Sequence, residues 1–196
     1  MWKDSDSDED RLLVTRCREG DESAFETLVR KYQQSVLNLV YHYLGSRNDA
    51  EDVSQKIFTK IYFSLAKFDL RRPFFPWLYR IAANQCYDEL RKLRRHKVHT
   101  FSELSLEDSN RLETLISQDE PPLETEEDQK QLAALLHRTL DHLPQQQRTA
   151  IVLRDLEGIP YPKMAEIMQC TEQAARLKVF RARTRLRELL QRAMRK

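Results

Sequence analysis

The chain has 196 residues, 33% of them charged, with 33 Lys and Arg against 31 Asp and Glu and a formal net charge of +2. Its 40% hydrophobic content suits one medium domain or two small ones, and no stretch is apolar for long enough to cross a bilayer. Three widely spaced cysteines, Cys17, Cys86 and Cys170, with no C-x-x-C pair, argue against a disulfide framework and a cysteine zinc site. The acidic start has no signal-peptide core, so the expectation is a soluble cytoplasmic protein without membrane insertion.

A short helix is expected near 9–19. Residues 22–44 follow as a long helix, with Phe25, Leu28, Val29, Tyr32, Val36, Leu39, Val40 and Tyr43 on one 3.6-residue stripe and Gly45 as its stop. Ser46 or Asn48 caps the next helix. Asp49, Glu51 and Asp52 lie in its first turn, where the helix dipole favours anions, and Ala50, Val53, Ile57, Ile61 and Leu65 form its core stripe. The loop "KFDLRRPF" leads to a third long helix over about 76–97, with Trp77, Leu78, Ile81, Ala82, Leu90 and Leu93 inward. Residues 98–127 read as a linker, acidic and broken by Pro121-Pro122.

A helix carrying Leu132, Leu135, Leu136, Thr139, Leu140 and Leu143 opens the second half. Pro144 starts another, with Ile151, Val152, Leu153 and Leu156, which ends at Gly158. A short helix over 162–168, the turn "QCT" and a long helix capped by Thr171 complete the chain. In that last helix Ala175, Val179, Ala182, Leu186 and Leu189 face inward, and Arg176, Lys178, Arg181, Arg183, Arg185 and Arg187 occupy the remaining circumference. No period-2 alternation is long enough for a sheet. The fold expected is all-α: two small helical domains joined by an acidic linker, divided as a 1–9 acidic tail, a 10–97 domain, a 98–127 linker and a 128–196 domain.

Charge is distributed in blocks. Residues 71–97 hold eight Lys or Arg against two acids and 171–196 nine against two, whereas 103–128 hold ten acids and one Arg. Two basic domains joined by an acidic connector suit a polyanion binder that shields itself when free. A short helix, a three-residue turn and a long basic helix form a helix-turn-helix layout, whose second helix enters the DNA major groove. In the first domain, Phe68, Phe74, Phe75, Trp77, Tyr79 and Tyr87 mix with Arg71, Arg72, Arg80 and Arg91. Aromatic faces for unpaired bases beside cations for phosphates are what binding of opened DNA needs. Not all of these aromatics can face one way on a helix, so some belong to the core. A stand-alone helix-turn-helix regulator and a nuclease using the carboxylates of Asp49, Glu51 and Asp52 remain open on these grounds. No His stands at a helical offset that would complete a metal site with them.

"DAEDVSQKIF" (49–58) followed by "PFFPWLYRIAANQCYDELRKLRR" (73–95) resembles region 2 of the extracytoplasmic-function sigma factors, the small members of the sigma-70 family. "LPQQQRTAIVLRDLEGIPYPKMAEIMQCTEQAARLKVFRARTRLREL" (143–189) resembles their region 4. The resemblance implies a factor that binds core RNA polymerase, recognises −35 and −10 promoter elements and promotes transcription initiation, with no catalysis, cofactor or metal of its own. It implies that Glu51, Asp52, Gln55 and Phe58 dock on the β′ clamp helices, with a further contact to the β flap. It assigns Phe68, Arg71, Arg72, Phe74, Tyr79, Asn84, Asp88 and Arg91 to the −10 element, and Arg176, Leu177, Lys178, Phe180, Arg181 and Arg183 to the −35 element. An anti-sigma factor is the expected regulator. The chain departs from the family pattern at Gln169, where Gly is usual in the turn, at Pro160, where a capping Ser is common, and at Leu177, where a small polar residue is common.

Overall fold

A computed structural model describes residues 7–96, 136–137 and 139–194. The linker over 98–127, Leu132 and Leu135 lie outside the described residues. Among those described, every regular element is helical.

Helix α1 spans Ser7–Arg18, so the last residues of the expected acidic tail already form its first turn. Helix α2, Glu22–Leu44, is capped by Asp21, whose carboxylate accepts from the Ala24 N–H and receives hydrogen bonds from Ser23 and Arg16. Those bonds hold the Asp21 carboxyl at about 2. Gly45 ends α2 in the left-handed region at φ 73° and returns its N–H to the Tyr41 carbonyl. Ser46, rather than Asn48, caps α3, Arg47–Ser64, and a single 3-10 turn, Leu65–Lys67, follows it. Helix α4, Phe74–His96, begins two residues earlier than the pattern suggested. Pro76 sits within its first turn, where no intrahelical N–H is required.

Helices α2, α3 and α4 bury the expected stripes against one another: Leu28, Tyr32, Val36 and Leu39 meet Ala50, Val53, Ile57 and Ile61, and Leu78, Ala82 and Cys86 close the bundle. Leu93 is the exception. It is 42% exposed, because the buried face of α4 runs out after Leu90.

The second unit comprises a helical stretch that ends at residue 141, then α5 (Gln145–Ile151), α6 (Tyr161–Met168) and α7 (Glu172–Met194). Helix α5 passes directly into a π-helical turn, Val152–Leu156, closed by the Glu157 N–H on the Val152 carbonyl. Leu140, Leu143, Ile151 and Ala182 form a small core of this unit.

The two units are in contact. Ala150, Val152, Leu153, Met164 and Ile167 belong to the same continuous apolar cluster as Tyr43, Ala82 and Cys86. The charge pattern had suggested two domains connected through an acidic segment; the structure adds a shared interface.

Candidate nucleic-acid interface

The helix-turn-helix is assembled by local geometry. Pro160 precedes α6 without a side-chain cap. The turn after α6 needs one left-handed residue, and Gln169 supplies it at φ 51° and ψ 51°. The conformation costs a non-glycine residue roughly 1–2 kcal/mol. It is held by the Cys170 N–H bonding the Ala165 carbonyl at 3.0 Å. Thr171 then caps α7, its hydroxyl accepting from the Ala174 N–H at 3.2 Å.

On α7, Ala175, Val179 and Ala182 are buried, which turns Arg176, Leu177, Phe180 and Arg181 outward and leaves Lys178 half-buried. Leu177 is 45% and Phe180 67% exposed, the two large apolar side chains on an otherwise cationic face. Arg183 differs from its neighbours. It makes a two-pronged ion pair with Asp155, 2.5 Å at the closer contact, and so ties α7 to the π turn. Arg176 pairs with Glu172 at 2.6 Å, with its guanidinium 4.3 Å from the centroid of the Tyr161 ring.

In the first unit, Arg71 and Arg72 are exposed on the loop before α4, both beside Asp69. The Arg71 hydrogen bond holds the Asp69 carboxyl below the usual carboxylate range. Asn84, Asp88 and Arg91 are exposed at steps of four and three, which puts them on one face of α4. Phe68, Phe74 and Tyr79 are elsewhere: they are 4%, 2% and 2% exposed. Phe68 packs on Phe74 and Trp77 with ring centroids 5.6 and 4.9 Å away, and Tyr79 lies 4.2 Å from Phe75. Phe74 and Phe75 lie against Tyr32 of α2, and the Tyr79 hydroxyl donates to the Ser35 carbonyl of the same helix. Phe68, Phe74 and Tyr79 are buried in the core of this structure, beneath the exposed face of Asn84, Asp88 and Arg91. Trp77 and Tyr87 remain half-buried at the surface of that core, and the Arg91 guanidinium lies 5.9 Å from the Tyr87 ring centroid.

Glu51, Asp52 and Gln55 are exposed along α3, whereas Phe58 is half-buried against the core. Asp52 and Gln55 line a shallow groove with Lys56, Thr59, Lys60 and Gln85. Phe63, 76% exposed, and Tyr62, 45% exposed, extend the same helix outward. The sequence contained one signal for them: both fall off the Ile57–Ile61–Leu65 stripe.

The interface between the units had no sequence signal, because its partners are about a hundred residues apart. Arg148, 2% exposed, donates to the Tyr43 carbonyl at the end of α2 and pairs with Asp141. The Tyr43 hydroxyl donates to Thr149 at 2.9 Å, and His42 Nδ1 lies 2.6 Å from Glu157 Oε1. Burial pushes the Tyr43 phenol up. Arg80, Asn84, Gln145, Gln146, Met168 and Gln169 line a cleft where α4 faces α5 and the helix-turn-helix. Among the described residues no group of three or more His, Cys, Asp or Glu is arranged to hold a metal ion, and no helix is long and apolar enough to cross a membrane.

Two helical units, one with a cationic helix-turn-helix and one with an exposed polar face beside aromatic residues, define a promoter-recognition class of protein. Residues 28–96 match the family model "Sigma-70 region 2" and residues 133–186 match "Sigma-70, region 4". The chain is 35% identical over 190 residues to the RNA polymerase sigma-H factor of Pseudomonas aeruginosa, covering 94% of this chain and 95% of that one. It is 37% identical over 178 residues to the ECF RNA polymerase sigma-E factor of Escherichia coli K12, covering 89% and 90%. The solved complex of CnrH with the cytosolic domain of CnrY is similar at a TM-score of 0.63 and 26% identity, over 93% of this chain and 97% of that one. The sigma factor RpoE of Bartonella quintana, solved with the anti-sigma factor NepR, shares the fold at a TM-score of 0.56 and 24% identity, over 85% and 96%. The chain belongs to the sigma-70 family, as an extracytoplasmic-function sigma factor.

Proposed function

We propose that the chain binds core RNA polymerase in the cytoplasm, recognises the −35 element through α7 and the −10 element through the α4 face and its preceding loop, and helps open the promoter. The polymerase performs the chemistry. The observation that carries this reading is the division of α7. Ala175, Val179 and Ala182 are buried and Leu186 and Leu189 partly so, while Arg176, Leu177, Phe180 and Arg181 are exposed with Lys178 beside them. Guanidinium groups suit guanine edges and phosphates, and exposed apolar side chains suit the thymine methyl group. Arg183, engaged by Asp155, braces the helix and reaches phosphate only by leaving that pair.

For the −10 element the reading rests on Asn84, Asp88 and Arg91 on α4 and on Arg71 and Arg72 in the loop. Asn and Asp hydrogen-bond base edges, and the Arg side chains neutralise the backbone. Phe68, Phe74 and Tyr79 support this surface from beneath. Polymerase docking is assigned to Glu51, Asp52 and Gln55, with Phe58 as the apolar edge of that patch, and the β′ clamp helices and β flap are the expected partners. Regulation by an anti-sigma factor is the expected control, by likeness to the sigma factor RpoE of Bartonella quintana, which was solved with the anti-sigma factor NepR.

Run-off transcription with purified core polymerase on a genomic promoter library tests the reading. Enriched −35 and −10 motifs at a fixed spacing are expected. Transcription no more selective than core polymerase alone would overturn it, as would tight, sequence-specific duplex binding without polymerase.

A further inference from the structure

Tyr161, the first residue of α6, is half-buried against the apolar cluster shared by the two units and lies next to two guanidinium groups. Arg176 stands 4.3 Å and Arg154 4.7 Å from its ring centroid. Each Arg has a second anchor. Arg154 donates to the Ile159 carbonyl at 3.1 Å, and Arg176 donates through Nε and Nη2 to Glu172 Oε1 at 3.1 and 2.6 Å. An exposed Arg ordinarily samples many rotamers and loses that freedom when it binds a base. Here the guanidinium of Arg176 is held between the Tyr161 ring and the Glu172 carboxylate, which together restrict its rotamers.

We propose that Tyr161 is a positioning residue for promoter recognition: its ring holds Arg176 in the rotamer that meets the DNA, so Tyr161 sets specificity at the base Arg176 reads without touching that base. The proposal rests on the reading of α7 as the −35 helix. It predicts an effect confined to one base position, because of the two guanidinium groups beside the ring only Arg176 stands on α7; Arg154 is anchored on the Ile159 carbonyl.

The test is holoenzyme transcription from promoters varied at every −35 base. Arg176→Ala should relax preference at one position. Tyr161→Leu, which keeps apolar bulk and removes the ring, should relax the same position by about 2- to 5-fold, the worth of an exposed cation–π contact, with the salt dependence unchanged. Tyr161→Phe should keep the parent profile. Should the Leu variant fold poorly, a fluorinated phenylalanine at 161 retains the shape and weakens the negative ring face, and the same single-position loss is expected. Uniform loss at all positions, or an intact profile in the Leu and fluorinated variants beside a relaxed Arg176→Ala profile, overturns the Tyr161 role and leaves the −35 reading standing. An Arg176→Ala profile identical to the parent removes the −35 assignment of Arg176 and the proposal with it.

Discussion

Gly45 offers a measurement of the contact between the two units. Its φ of 73° is one that L side chains rarely adopt, and a Cβ built there would lie 2.8 Å from His137 Cδ2 and 2.9 Å from His137 Cγ. Gly158, at φ 67°, has the same backbone demand and nothing within 4 Å of its Cβ. Gly158→Ala therefore reports backbone strain alone, about 1–2 kcal/mol. Gly45→Ala carries that strain and also displaces the His137 ring, and overpacking of this kind adds about 1–3 kcal/mol. For a chain of this size each kcal/mol is worth roughly 2–4 °C in Tm. Urea titration followed by helical circular dichroism should rank the parent above Gly158→Ala and Gly158→Ala above Gly45→Ala. In a His137→Ala background the excess cost of Gly45→Ala should vanish, giving a coupling energy of about 1–3 kcal/mol between residues on different units. Equal costs for Gly45→Ala in the two backgrounds would refute the packing of His137 on the end of α2, and with it this contact between the two units.

Asp52→Ala/Gln55→Ala should leave helical circular dichroism unchanged and weaken competition for core polymerase, because both side chains are exposed on α3; undiminished competition would move the docking surface elsewhere. Asp10 is 1% exposed, 2.7 Å from Lys31 Nζ and 2.5 Å from the Tyr32 hydroxyl, so Asp10→Ala should cost about 1–3 kcal/mol of unfolding free energy by removing buried hydrogen bonds to a charged group. Burial, with Arg148 and His42 nearby, holds the His137 imidazole below its ordinary 6.5. The unfolded chain therefore takes up its proton first. The stability conferred by neutral His137 is complete above pH 6.5 and is lost as pH falls through the lower folded value, so His137→Gln should flatten the acid side of a plot of melting temperature against pH. Arg187→Ala should weaken binding of the holoenzyme to all −35 variants alike and reduce the salt slope by about one, as loss of a single phosphate contact does.

Helix identity and facing were legible in the residues because they depend on local periodicity. Ala175, Val179 and Ala182 at steps of four and three were enough to say which side of α7 is covered, and the cap at Thr171 and the stop at Gly45 follow from side-chain and backbone chemistry within a few residues. The polar part of the candidate site was legible for the same reason: Asn84, Asp88 and Arg91 share a face by spacing alone. The aromatic part was not. A phenyl ring serves a core or a base equally well by composition, and what decided Phe68, Phe74 and Tyr79 was packing: Phe68 on Phe74 and Trp77, Phe74 on Tyr32, and Tyr79 on Phe75. The contact between the units belongs wholly to tertiary structure. Arg148 reads in sequence as one more surface cation after "QQQ". It becomes one of the largest fully buried side chains because Tyr43, 105 residues away, presents a carbonyl at a helix end that no intrahelical N–H can satisfy, and a guanidinium buried against it finds there a hydrogen bond that apolar surroundings would deny it.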